Sequence, residues 1–303
     1  TLEQAMLAQT IPPQRSSRTF ARYNAVATVA GSLGALAAGS PAAVHLHLGH
    51  AAATDRRLFW LLVPVGLAGM LLAGRLSARV EAPPPHRGGQ RPLQRSRRTV
   101  RSLAGLFAAD ALGGGLVVQS FLAYWFQRRF GLSLQALGLL FFTVGLLQTA
   151  SFLAAGRLAE RFGLLNTMVF THLPSNLLLV AIVFAPNRAV AVGLLLARFA
   201  LSQMDVPTRQ AYVMALVDPG ERAAAAAWTN TARYLVRPAG TAVAGTAAQA
   251  ALGAPFLLAG SIKAAYDLVL WSWFRNVPLP QATVPAPPTA AAVPNRHGNK
   301  EQP

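Results

Sequence analysis

Cysteine is absent from all 303 residues, which excludes disulfides, thiolate metal sites and cysteine nucleophiles and leaves the redox compartment open. Charge is scarce too. Only 12% of residues are Asp, Glu, Lys or Arg, 53% are hydrophobic and the mean hydropathy is +0.38, a more apolar balance than a soluble domain normally has. No Walker loop, dinucleotide fingerprint, H-E-x-x-H or G-x-S-x-G occurs, so ATP-driven transport and the common hydrolases lack support and no cofactor is implied. Residues 1–22 are polar and lack the apolar centre of a cleavable signal. The net charge of +17 does not make the chain a nucleic-acid binder, because such a protein sets a basic face on a soluble fold.

What is abundant is long apolar sequence. A window of about 19 residues finds segments near 23–43, 58–78, 102–125, 133–155, 164–185, 189–217, 223–249 and 255–274, each long enough to cross a bilayer core. The sequence therefore reads as an all-α integral membrane protein with about eight transmembrane helices. The weakest segment, 223–249, is Ala-rich and interrupted by Arg233 and Arg237, and spans only if it is buried in a bundle.

Basic residues set the expected orientation. With a cytoplasmic N-terminus, 18 Lys and Arg fall on the inner side, Arg209 among them, against 5 on the outer side. That excess is expected of a cytoplasmic (inner) membrane protein with both termini in the cytoplasm. The Arg-rich run "RGGQRPLQRSRRTVR" then lies beside anionic lipid. It belongs to a basic loop at 81–101 without hydrophobic periodicity, and the Pro-rich tail 276–303 is likewise expected to be unfolded.

The fourth segment ends in "GRLAERFG", residues 156–163. This stretch resembles the G-x-L-a-D/E-R-x-G loop that the major facilitator superfamily carries between its second and third helices and repeats between its eighth and ninth. The resemblance implies a gating loop in which Arg157, Glu160 and Arg161 make charge contacts to neighbouring helix ends. Gly156 and Gly163 would allow close approach and a tight turn. The "LLN" that follows departs from the basic residues often found there. Two helices, a long basic loop and six helices match helices five to twelve of that family's plan. The chain also opens without Met on what reads as the tail of a cytoplasmic loop. The expectation is that the first four helices are missing, that 1–80 is a two-helix remnant of one half-bundle, and that 102–275 is the other, six-helix half-bundle.

Charges inside these helices cost roughly a few kcal/mol each, so they should face protein or water and pair. Arg198 and Asp205 stand two turns apart on one face, Arg209 follows Asp205 by four, and Pro207 interrupts the ladder. Either Asp205 faces a cavity with Arg198 or Arg209 as a switching or protonatable partner, or the pair is a static lock with Arg209 snorkelling at the inner end. Asp110 stands alone before Gly113, Gly114 and Gly115 and is the best proton-site candidate, unless Arg233 or Arg198 holds it permanently. Gln119, Tyr124 and Trp125 follow it. Gln119 is a substrate-contact candidate, and the two aromatics stand where an interfacial belt would place them. Asn230, Arg233 and Arg237 form one polar stripe beside Pro238, suited to an anionic group or to neutralising Asp205 and Asp110. Lys263 and Asp267 read as a structural i,i+4 pair. "HLHLGH" reads as a solvated external loop, with no metal site. The glycines of "AGSLGALAAGSP" read as small-residue packing.

The resulting expectation is a secondary transporter driven by protons, moving a small organic solute by alternating access, with export favoured and membrane lipid as its surroundings. A non-transporting membrane scaffold, a truncated inactive fragment and a membrane-embedded enzyme are the alternatives.

Overall fold

The computed structural model describes residues 22–38, 60, 62–75 and 93–278. The "HLHLGH" cluster, most of the basic loop and nearly all of the Pro-rich tail lie outside the described residues. Among the described residues there is no strand. α1 covers 22–38 and α2 Leu62–Gly74. They are followed by α3 (Arg97–Leu116), α4 (Gln119–Phe130), α5 (Leu134–Phe162), α6 (Leu164–Ala181), α7 (Arg188–Ser202), α8 (Asp205–Leu216), α9 (Arg222–Ala250) and α10 (Ala254–Phe274). Each of the eight apolar segments carries helix.

Two of the segments are broken where one helix was expected. Between α3 and α4, Val117 leaves helical geometry at φ −126°, ψ 69° and Val118 is extended. Between α7 and α8 the cause is Pro207, which has no N–H to offer the Gln203 carbonyl. That oxygen is reached instead by the Val206 N–H at 3.4 Å, a one-turn contraction of the ladder. Elsewhere the ends are capped locally. Ser133 accepts from the Ala136 N–H and Asn187 from the Val190 N–H. Gly131 closes α4 at φ 64°, in the left-handed region open to glycine.

Among the described residues four stretches are long and apolar enough to cross a membrane: Arg97–Phe130, Leu134–Phe162, Leu164–Phe184 and Arg188–Leu216. α9 and α10, at 29 and 21 residues, have the length, but Arg, Lys, Asp and small residues dilute their apolarity. α2 is a shorter apolar helix that buries none of its residues. The outer surface is greasy: Leu139, Leu146 and Leu153 are exposed at seven-residue intervals along α5, a lipid-facing stripe on a helix whose other face packs inward.

α3 and α9 approach most closely at two glycines. A Cβ on Gly115 would come within 3.0 Å of the Gly240 Cα and overlap the Arg237 carbonyl, and one on Gly240 would overlap the Leu112 carbonyl. Only glycine permits this backbone contact. The Thr241 hydroxyl crosses it, donating to the Gly115 carbonyl at 3.0 Å.

At one end of the bundle Glu221, between α8 and α9, clips the chain just before α3. Its Oε1 accepts from the Gln94 and Arg95 N–H groups and its Oε2 from the Ser96 N–H, all at 2.9 Å. The N–H groups of Gln94, Arg95 and Ser96 hold the carboxyl down to about 2.

The core lies in two apolar clusters. One gathers Leu116, Trp125, Phe126, Leu179, Leu195 and Phe256, the other Val100, Phe107, Met168, Tyr212, Leu270 and Phe274. Trp125, expected in an interfacial belt, is 2% exposed, packed on Phe126, Phe130 and Phe256. A site that stacks on three sides removes it from lipid contact, whereas Tyr124 remains exposed.

Candidate functional site

The interval between the two apolar clusters is where the charges are. On α3, Asp110 falls between Phe107 of one cluster and Leu116 of the other. On α6, His172 and Asn176 fall between Met168 and Leu179. On α10, Lys263 falls between Phe256 and Leu270. The break between α7 and α8 adds Arg198, Asp205 and Arg209 to this layer, and α9 adds Arg233. In a chain with so few charges, stacking them at one level of the bundle lets each helix neutralise its neighbour's cost of desolvation.

The contacts within the layer are specific. Arg209 Nη1 lies 2.9 Å from the Asp205 carboxylate, one turn back on α8, and 3.2 Å from Asp110 Oδ2. Lys263 Nζ donates to Asp110 Oδ1, and His172 Nε2 stands 3.8 Å from that oxygen. The other ring nitrogen, His172 Nδ1, lies 2.9 Å from Asp267 Oδ1, while Asn176 Nδ2 donates to Asp267 Oδ2 at 2.8 Å. Asp110, Asp205, Arg209, His172 and Asp267 are all buried. A single imidazole therefore stands between two carboxylates, Asp110 and Asp267, and either of its nitrogens can carry the proton.

Several expectations change. Asp110 does not stand alone, and its partners are Arg209 and Lys263 rather than Arg233 or Arg198. The reason is direction: α8 and α10 present their cations to α3 at the level of Asp110. Lys263 and Asp267 do not pair with each other although they are one turn apart, since each is drawn to a different helix. Arg209 does not snorkel to the inner end but is enclosed between two carboxylates, with the Phe107 ring 5.5 Å beneath its guanidinium. Asp205 takes Arg209, of its two anticipated partners, and Arg198 has no ion pair among the described residues.

A cavity of about 530 Å³ opens on this layer, bounded by α1 on one side and by residues of α3 to α10 on the other. Asp110, Asp205, Arg198, Arg209, Arg233 and Gln119 line it, with apolar wall from Leu122, Phe141 and Phe199. Asn230 is half-buried and does not line it. α1 meets α5 where Ser32 sits against Gly145, whose missing side chain makes the room. Among the described residues no cluster of His, Asp and Glu has the form of a metal site.

The "GRLAERFG" stretch forms the junction between α5 and α6. Gly163 turns the chain at φ 82°, as a tight turn requires. Gly156 has nothing within 4 Å of a Cβ position, so it supports no close helix approach. Arg157, Glu160 and Arg161 are exposed, and among the described residues they make no ion pair.

His172, Asn176 and Glu221 were not singled out from the sequence. For the first two the signal is present: "FTHLPSNLLL" places a His and an Asn one turn apart in an apolar run around Pro174, the same anomaly that singles out Asp205. Glu221 in "DPGER" carries no such signal, because an acid in a short polar turn is ordinary.

A helical bundle with lipid-facing leucines outside and an ionised layer around a cavity inside has the architecture of a polytopic membrane transporter. The sequence model of the Major Facilitator Superfamily matches residues 1–241. The chain belongs to that superfamily and is a membrane transporter of its kind. It is also similar to an uncharacterized membrane protein of Saccharomyces cerevisiae, 24% identical over 313 residues that take in 91% of this chain and 70% of the yeast protein.

Proposed function

We propose that the protein is a secondary active transporter that couples proton movement to the passage of a small organic solute by alternating access, in the direction of export. It lies in the cytoplasmic (inner) membrane with both termini and the 81–101 loop in the cytoplasm. α1 and α2 belong to one half-bundle and 102–275 form the other, with the cavity between them. The observation that carries the reading is Asp110, a buried carboxylate on the cavity wall in contact with Lys263 and Arg209 and within 3.8 Å of His172. A proton reaching that site weakens the hold of both cations on α3, and His172 relays it toward Asp267. Such a change in pairing gives two helix arrangements different proton affinities, which is what coupling requires. The exposed charges Arg157, Glu160 and Arg161 act as a gate on the α5–α6 junction, pairing with the facing half in one arrangement only.

The test is proton movement in proteoliposomes of the intact protein containing a trapped pH-sensitive dye, challenged in turn with organic anions, amines, sugars and neutral amides. At least one class should drive proton flux. Asp110→Asn should abolish that flux while solute-for-solute exchange persists. Proton-coupled accumulation by Asp110→Asn at the parental rate would overturn the assignment.

A further inference from the structure

The cavity holds more positive charge than its own carboxylates answer. Five cations line it, Arg198, Arg209, Arg233, Arg237 and Lys263, and face two carboxylates, Asp110 and Asp205. Both carboxylates are already engaged by Arg209 and Lys263. Arg198, Arg233 and Arg237 are left over; Arg237 is exposed, whereas in Arg198 and Arg233 the Nε is buried with no hydrogen-bond partner among the described residues. Arg198 is 9% exposed, on the cavity wall, with its guanidinium 4.7 Å from the Phe199 ring centroid. The two arginines come from α7 and α9, on different helices around one space.

A buried guanidinium nitrogen without an acceptor is costly, and two such nitrogens on different helices around one cavity suit an acceptor placed between them. The acceptor that suits a planar, five-donor group is an oxyanion, whose two oxygens accept a parallel pair of N–H bonds. Apolar wall at Leu122, Phe141, Val144 and Phe199 stands among the uncharged polar side chains Gln119, Gln148 and Gln203, so the remainder of the ligand carries an apolar face beside polar groups. A volume of about 530 Å³ accommodates a molecule of that size class.

We infer that the cavity is the binding site for a small amphipathic organic anion, whose oxyanion group is held by Arg198 and Arg233 and whose apolar body rests on Phe141 and Phe199. This rests on the transporter reading and specifies its solute. The anion also offsets part of the cavity's excess of positive charge.

The probes are benzoate, phenyl phosphate, benzamide and benzylamine, which share one ring and differ in the head group. Binding to the intact protein in nanodiscs is followed by calorimetry and by the shift in melting temperature. Benzoate or phenyl phosphate should bind at least tenfold more tightly than benzamide and benzylamine, and whichever is tighter identifies a carboxylate or a phosphate as the head group. Arg198→Gln and Arg233→Gln should each lose that preference, and Arg198→Lys should retain part of it. If a Gln variant fails to fold, the preference of the unmutated protein decides alone. Equal binding of all four probes, or tightest binding of benzylamine, overturns the proposal. The two readings fail separately: anion binding without flux in proteoliposomes sinks the transport mechanism and leaves the site, whereas proton-coupled flux of an amine that persists in Arg198→Gln sinks the site and leaves the mechanism.

Discussion

Arg209 and Asp110, 99 positions apart on α8 and α3, meet at 3.2 Å inside the bundle, and the same guanidinium nitrogen serves Asp205 at 2.9 Å. One cation thus compensates two buried acids. Arg209→Gln leaves both carboxylates short of a partner, and the expected loss is about 3–5 kcal/mol with a matching fall in membrane abundance. Asp205→Asn is milder, because Arg209 keeps Asp110. Its abundance should stay near normal, and any loss of flux per molecule then reports a role in transport. A fall in abundance for Asp205→Asn as deep as for Arg209→Gln, measured by immunoblot of membranes, would count against the shared-cation arrangement.

The backbone contact between Gly115 and Gly240 leaves no room for a methyl group. Gly115→Ala and Gly240→Ala each force α3 and α9 apart, at a cost of about 1–3 kcal/mol from overpacking. Thermal unfolding in detergent should show both variants melting earlier. Gly156→Ala, with open space around it, should melt with the unmutated protein.

Asp267 accepts from His172 and Asn176 at once. Asp267→Leu removes the acceptor that His172 and Asn176 share, at about 1–3 kcal/mol. Asp267→Asn keeps an acceptor oxygen and should cost less. The order of melting temperatures, parent above Asn above Leu, checks the arrangement, and equal melting of the two variants would contradict it.

Glu221 predicts an acid dependence. Its carboxyl is held down from an ordinary value near 4.5 to about 2 by the backbone N–H groups of Gln94, Arg95 and Ser96. A lowered value in the folded state means the folded protein resists protonation there. The stabilisation is therefore fully present above pH 4.5 and is lost as pH falls toward 2. Glu221→Gln should melt below the parent at pH 7, and the gap should narrow progressively below pH 4.5. A gap that is constant with pH would assign the effect to something other than the carboxylate.

The helices and most of their limits were legible because a bilayer imposes a coarse rule that apolar runs satisfy or do not. Asp110, Arg198, Asp205, Arg209 and Arg233 were legible as anomalies for the same reason. The pairing was not. Spacing along one helix suggested Lys263 with Asp267 and left Asp110 alone, while the partners that matter come from other helices at the same depth, which no one-dimensional pattern contains. Trp125 was misjudged similarly: an aromatic near a span's end belongs to the belt or the core according to what faces it. Here Phe256, from more than a hundred residues away, faces it.

The Glu221 clip has a consequence for how the chain threads the bilayer. Ser96 and Glu221 touch, so they lie on one face of the membrane, though 125 positions separate them. A chain that leaves one face and returns to it has crossed an even number of times. The four candidate spans between these residues meet that parity if each crosses once. A break that turned just one of Arg97–Phe130 or Arg188–Leu216 back on itself would leave three crossings and set Ser96 and Glu221 on opposite faces. That parity excludes a reversal at Val117 or Pro207 alone, and bends within complete crossings at both satisfy it.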